Sequence, residues 1–261
     1  MTDFTSSQQE ILPEFRVGAV VTDTFKTMYA NLFKFVGIGL IIYVPFYGIM
    51  FLTMPQIEPG NQVTDPAGLM YTMFGTMFLM MLAGFIAQTA IVHASIETLA
   101  GKSATFGDML STAVQKFLPV VGASIIIMLL YMVGAIFLVV PGIIALLMLC
   151  VTIPVIVAED KPVFEALKRS AELTKGSKWA IIGATMLTFI AAYILMIVIL
   201  LAIGLLSAVA GPVGAIIGGI AAAVMMAAMY GIMGAVVAAI YTNLRIAKEG
   251  VSADDIAKVF A

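Results

Sequence analysis

Residues 117–159 read FLPVVGASIIIMLLYMVGAIFLVVPGIIALLMLCVTIPVIVAE, and this stretch decides the fold. No charged side chain occurs in it before Glu159. A run of that length crosses a hydrocarbon core twice, at roughly 20 residues per helical crossing. Pro141 and Gly142 stand near its middle and suit a tight turn. The stretch therefore reads as a hairpin of two membrane spans, 120–140 and 142–158.

Four more apolar stretches lie outward of this hairpin, at 33–54, 69–96, 180–206 and 213–240. Composition agrees: 62% of the residues are hydrophobic, 11% are charged, and the mean hydropathy is +1.11. Soluble domains do not reach such values. The predicted fold class is all-α, a polytopic membrane bundle of about six transmembrane helices with interfacial amphipathic helices. Pro45 and Pro154 fall inside spans, where each removes a backbone donor and predicts a kink. Residues 1–16 form a polar tail, 17–248 one membrane domain, and 249–261 a second tail. Met1 to Val17 carry three acids but neither a basic start nor an apolar core. The first span, rather than a cleaved leader, is expected to direct insertion.

Charge sidedness orients the bundle. All thirteen Lys and Arg residues fall in the tails or in alternate connections. Basic residues stay in the cytoplasm during insertion, which predicts that both termini are cytoplasmic, in a bacterial inner membrane. Of the fifteen acids only Glu58 and Asp65 are expected outside, so thirteen acids face thirteen bases on the inner side. That balance argues against a polybasic surface for anionic lipid or nucleic acid.

Three inner segments share a pattern of amphipathic helix, aromatic residue and span. In the second, Phe106, Met109, Leu110, Ala113, Val114 and Phe117 recur at helical spacing, and Thr105 with Asp108 resembles a capping box. In the third, Phe164, Leu167 and Ala171 are expected to face one way, with Glu165 and Arg169 paired at i,i+4. The spacings from Val17 to Gly37 and from Val163 to Gly183 are equal. A threefold internal repeat is predicted, with units 17–99, 103–158 and 161–243. Phe33, Phe117 and Trp179 would anchor the inner interface, while Lys34, Lys116, Lys175 and Lys178 snorkel toward headgroups.

The polar residues closest to chemistry are Gln88, His93 and Glu97, near the inner end of the second span. His93 and Glu97 share a helical face and could hold a metal or move a proton. No second histidine exists, Cys150 is the sole thiol, and the spacing is not that of HExxH. The pair reads as a span-ending polar contact, so neither a metal site nor a cofactor is expected. Gly214 and Gly218 form a GxxxG pair suited to close helix packing. Met80, Met81, Met225, Met226 and Met229 add adaptable apolar surface.

Residues 139–183, VVPGIIALLMLCVTIPVIVAEDKPVFEALKRSAELTKGSKWAIIG, resemble the membrane domain of glycerophosphodiester phosphodiesterases and the YciC-like bacterial inner-membrane proteins. Pro141, Gly142, Glu159, Ala166, Leu167, Arg169, Ser170, Leu173, Thr174 and Gly176 carry the resemblance. It implies an envelope protein and transfers no catalytic residue, since the phosphodiesterase chemistry belongs to a soluble barrel domain.

The reading that fits is a non-enzymatic inner-membrane protein serving lipid organisation, membrane homeostasis or a membrane assembly, with membrane lipids as its partners. A permease for lipid or another amphiphile is the first alternative, and an intramembrane enzyme using His93 and Glu97 the second. A cysteine placed in the 58–65 connection is expected to react with an impermeant maleimide only from outside the cell. Labelling solely from within would invert the assigned topology.

Overall fold

The computed structural model describes residues 14–53, 66–137 and 139–250, and among them every regular element is helical. In chain order these are α1 (Val17–Thr53), α2 (Pro66–Leu99), α3 (Phe106–Gln115) and α4 (Phe117–Phe137), followed by α5 (Val139–Leu149), α6 (Thr152–Glu159), α7 (Val163–Thr174) and α8 (Lys178–Glu249). Five segments of the described residues are long and apolar enough to cross a membrane: Pro66–Leu99, Phe117–Ile136, Val140–Glu159, Lys178–Leu205 and Ile220–Glu249. The expected first span coincides with the second half of α1, apart from Met54, which lies outside the described residues. Large apolar side chains such as Phe74, Met128, Ile194 and Leu201 are exposed along these helices. Exposure on that scale suits a lipid solvent and not water. The protein is a multi-pass helical membrane protein.

The expected fifth and sixth spans form one helical run, α8, of 72 residues. A straight helix of that size would be on the order of 100 Å long. Yet the Lys248 amine, near its end, donates to the carbonyls of Glu172 and Lys175, which precede its start. Ile181 and Ala184 share an apolar cluster with Ile240, Tyr241 and Leu244. The run therefore folds back on itself and delivers two antiparallel arms.

Three helix breaks precede spans. Asn31 interrupts α1 with φ −118° and ψ 16°. Lys116 separates α3 from α4, and Lys175 to Ser177 separate α7 from α8. The start of α3 is a capping box: the Thr105 N–H and hydroxyl donate to Asp108 Oδ2 at 3.0 and 2.6 Å, and the Asp108 N–H donates to Thr105 Oγ1 at 3.2 Å. Only Met109 and Ala113 of the expected α3 face are fully buried; Phe106, Leu110 and Val114 point outward. In α7 the expected face is corrected. Phe164 is exposed, and the buried stripe is Ala166, Leu167, Ser170, Leu173 and Thr174.

Pro154 acts one turn upstream of itself. Its ring excludes the carbonyl of Cys150 and offers that carbonyl no N–H. The fourth span accordingly breaks at Cys150 and Val151 into α5 and α6. Carbonyls freed in a membrane must find other donors. Thr152 Oγ1 donates to the Leu149 carbonyl at 2.8 Å, and the Ser170 and Thr174 hydroxyls of α7 donate to the Met148 carbonyl at 2.9 and 3.1 Å. Both α7 residues are fully buried, so this helix is keyed into the bundle and not laid upon it.

Small residues set the closest helix approaches. A Cβ on Gly39 would lie 2.5 Å from that of Ala227, and one on Gly234 would lie 2.4 Å from Ile91 Cγ2. A Cβ on Gly231 would meet Phe35 at 3.1 Å. These contacts join α1 and α2 to the second arm of α8. The double substitution Ser170→Ala with Thr174→Val is expected to cost about 1–3 kcal/mol, because it removes both α7 donors to the Met148 carbonyl. Thermal unfolding in nanodiscs would measure it, and Thr174→Val alone should cost less, since Ser170 still donates.

Candidate functional site at the charged end of the bundle

Charged and amide side chains converge at one end of the bundle, where α6, α7 and the end of α8 meet. Tyr241, Arg245 and Glu249 recur every four residues on α8, which places them on one helical face. Opposite them stand Glu159, closing α6, and Arg169 on α7. Arg169 Nε donates to the two Glu159 oxygens at 3.3 and 3.1 Å, and its Nη2 donates to Glu249. Arg245 Nε donates to Glu249 at 3.0 Å and its Nη1 to the Tyr241 oxygen at 3.3 Å. The Tyr241 hydroxyl donates to Glu159 Oε1 at 3.1 Å, which closes the ring of contacts. Lys161 Nζ lies 3.7 Å from Glu159, and the Arg245 guanidinium stands 5.8 Å from the Tyr241 ring centre.

This geometry corrects the expected Glu165–Arg169 pair. Arg169 turns to Glu159 and Glu249, because it sits at the margin of the buried stripe of α7 while Glu165 is exposed. A guanidinium suits the position because its planar fork serves two carboxylates at once. Two acids, two guanidinium groups and a phenol thus pair with one another and clasp three helices.

Other polar ties brace the same end. Lys116 pairs with Asp160, whose φ of 51° lets the chain turn sharply between α6 and α7. Asn243 donates to Asp23 Oδ2 at 2.8 Å and so joins α8 to α1. At the α1 kink, the buried Asn31 amide donates to the Thr98 hydroxyl of α2 at 2.7 Å. Lys34 donates to Asn31 Oδ1 at 3.2 Å, Ser103 Oγ at 3.4 Å and the Ala104 carbonyl at 2.8 Å. The amines of Lys34 and Lys116 are thus held within the protein in addition to any headgroup contact.

His93 and Glu97 do come together. Their Nε2 and Oε1 atoms are 3.8 Å apart, within ion-pair range and beyond hydrogen-bonding distance, with both side chains largely buried. Among the described residues no group of three or more His, Cys, Asp or Glu side chains could hold a metal ion. Gln88 lies close to Gly234, where α2 meets α8. Phe33 and Trp179 are exposed, Phe117 is half-buried, and Lys175 and Lys178 flank the α7–α8 turn. Gly214 is buried and Gly218 half-buried.

Sequence reasoning missed Tyr241, Arg245 and Glu249, although their regular spacing at the end of a span is a readable signal. It also missed Asn31 and Asn243, whose partners lie far away in the chain.

Residues 132–252 match the family model of the membrane domain of glycerophosphoryl diester phosphodiesterase. The resemblance read over 139–183 falls inside that match and is supported by it. Neither the curated proteins nor the solved structures contain a match to this chain. The matched segment contains the entire clasp, and the residues that carry the resemblance have structural work in it. Glu159 and Arg169 belong to the clasp, Ser170 and Thr174 bond the Met148 carbonyl, and Ala166 and Leu173 are core. Gly176 takes a φ of +83°, which side chains rarely adopt. A Cβ on Gly134 would lie 2.8 Å from the Gly142 Cα, so α4 and α5 meet backbone to backbone.

Arg169→Ala leaves Glu159, whose side chain is 11% exposed, without its main counter-charge. The expected cost is about 2 kcal/mol in thermal or denaturant unfolding, and Arg169→Lys should recover less than half of it. Full recovery by Lys would show that charge alone, without the fork, carries the contact.

Proposed function

We propose that this chain is a non-enzymatic protein of the bacterial inner membrane, with both termini cytoplasmic, whose charged end engages the inner leaflet and organises lipid there. One observation carries the reading. The polar groups of the charged end are largely spent on one another, whereas apolar side chains beside them face outward. Phe33 is 89% exposed, Trp179 85% and Phe164 78%, each next to a helix break or on a short amphipathic helix. Leu110, Val114 and Leu118 continue the apolar surface around α3 and the start of α4. In water such a collar would be costly, but at the boundary of headgroups and acyl chains it is favourable. Both ends of the α7–α8 turn carry a lysine that can reach phosphate while Trp179 enters the chains.

The match to the phosphodiesterase membrane domain supports an integral membrane role and concerns the part of the chain that holds the clasp. The positions that carry the resemblance fasten helices together, which favours a scaffold over a reaction centre. On this reading His93 and Glu97 form a structural contact, and their double alanine variant alters stability and not turnover.

Trp179 is the only tryptophan, so its fluorescence reports a single place. In vesicles of brominated phosphatidylcholine, bromine near the glycerol end of the acyl chain is expected to quench it more strongly than bromine near the methyl end. Aqueous iodide should quench weakly. Strong iodide quenching without bromolipid quenching would place Trp179 in water and end the reading.

A further inference from the structure

An apolar cavity of about 200 Å³ lies between α1, α2 and α3, outside the segment that matches the phosphodiesterase membrane domain. Its wall on α1 is Ile38 and Ile41, with Ala83, Ala87 and Ala90 on α2 and Phe106 at the start of α3. Alanines at those α2 positions leave the space open, because a larger side chain on that face would fill it. Ile41 and Phe106 are exposed, so the cavity opens laterally to whatever surrounds the bundle. Apolar cavities of such size stay dry and accept hydrocarbon.

Lys34 lies one helical turn before Ile38, which lines the cavity on α1. Lys34, Ile38 and Ile41 follow one another at spacings of four and three on one face of α1. The Lys34 amine rests on the Ala104 carbonyl, close in sequence to Phe106. Its three acceptors, Asn31, Ser103 and Ala104, are all uncharged. No ion pair among the described residues includes it, although Lys116, Arg169 and Arg245 all have acidic partners. The nearest acid of α3, Asp108, is engaged by Thr105 in the capping box. A half-buried cation with neutral neighbours, one helical turn from the wall of an apolar slot, is complementary to an amphiphile bearing a negative head and a hydrocarbon tail.

We propose that the α1–α2–α3 cavity is a binding site for one anionic glycerophospholipid, with an acyl chain between Ile38, Ala87 and Phe106 and the phosphate on Lys34. The site rests on the reading that the charged end meets the headgroups, and it adds a preference for net negative charge. The phosphate brings the counter-charge that the protein does not supply. Asn31 and the Ala104 carbonyl keep two of the amine's three N–H donors, and the phosphate takes the third in place of the long 3.4 Å contact to Ser103. The balance of charge over the whole inner side does not oppose this, since lipid selection here comes from one local cation and a shaped slot.

The test uses the full chain with Trp179→Phe and Phe106→Trp, which moves the fluorophore to the cavity wall. In vesicles of phosphatidylcholine, brominated phosphatidylglycerol as a minor component is expected to quench this tryptophan well beyond an equal amount of brominated phosphatidylcholine. Lys34→Gln should lower that preference about fivefold, the effect of one basic residue near a membrane surface. Lys34→Arg should retain it. Ala83→Leu, which narrows the slot, should reduce quenching by both lipids. Equal quenching by the two lipids in the reporter protein, or a preference that survives Lys34→Gln, would overturn the proposal. Either result would leave the Trp179 depth measurement in the unmodified chain untouched, so the two readings fail separately.

Discussion

Hydrocarbon offers a peptide carbonyl nothing to bond, and that constraint organises the half of the molecule from α5 onward. Pro154 breaks a span and releases carbonyls that water cannot reach. The chain answers with hydroxyls, one from Thr152 on the same span and two from α7, at Ser170 and Thr174. The amphipathic helix α7 is thereby tied to the broken span. Arg169 of α7 stands between Glu159 and Glu249 and so ties the second arm of α8 to α6. Pro154 removes the donor to the Cys150 carbonyl, and beside the break α7 bonds the Met148 carbonyl of the preceding turn.

The clasp fits its position. Two carboxylates and two guanidinium groups near the rim of a low-dielectric bundle are tolerable only because each is paired and hydrogen-bonded. Its members come from three helices that also share one buried apolar cluster, with Ile156, Leu173 and Leu244 among its residues. Glycine and alanine fix the distance between helices at Gly39, Gly231 and Gly234.

Much of this was legible in residue order. The spans, the short amphipathic helices, the Thr105–Asp108 cap and the Pro154 kink all follow from local spacing or from the chemistry of one residue type. What was not legible involves partners distant in sequence. Arg169 has a local acid at Glu165 and ignores it for Glu159 and Glu249, because burial and not proximity along the helix selects the pair. Phe164 falls in period with Leu167 but is exposed, because spacing tells which residues share a helix face and not how far neighbouring helices cover it. Gly39, Gly231 and Gly234 meet neighbouring helices closely without standing in a GxxxG pair, so that motif does not find them. The His93–Glu97 contact could be read from its spacing, but its seclusion within the bundle could not.

The meeting of Gly134 with Gly142 has a consequence for biogenesis. The two helices touch backbone to backbone, and the seven residues between these glycines in sequence, Ala135 to Pro141, include no charged or hydrogen-bonding side chain. Nothing hydrophilic has to be dragged across the bilayer when α4 and α5 enter it. The pair can leave the translocation machinery as a preassembled unit, sliding sideways into lipid without the penalty that a charged connecting loop would impose.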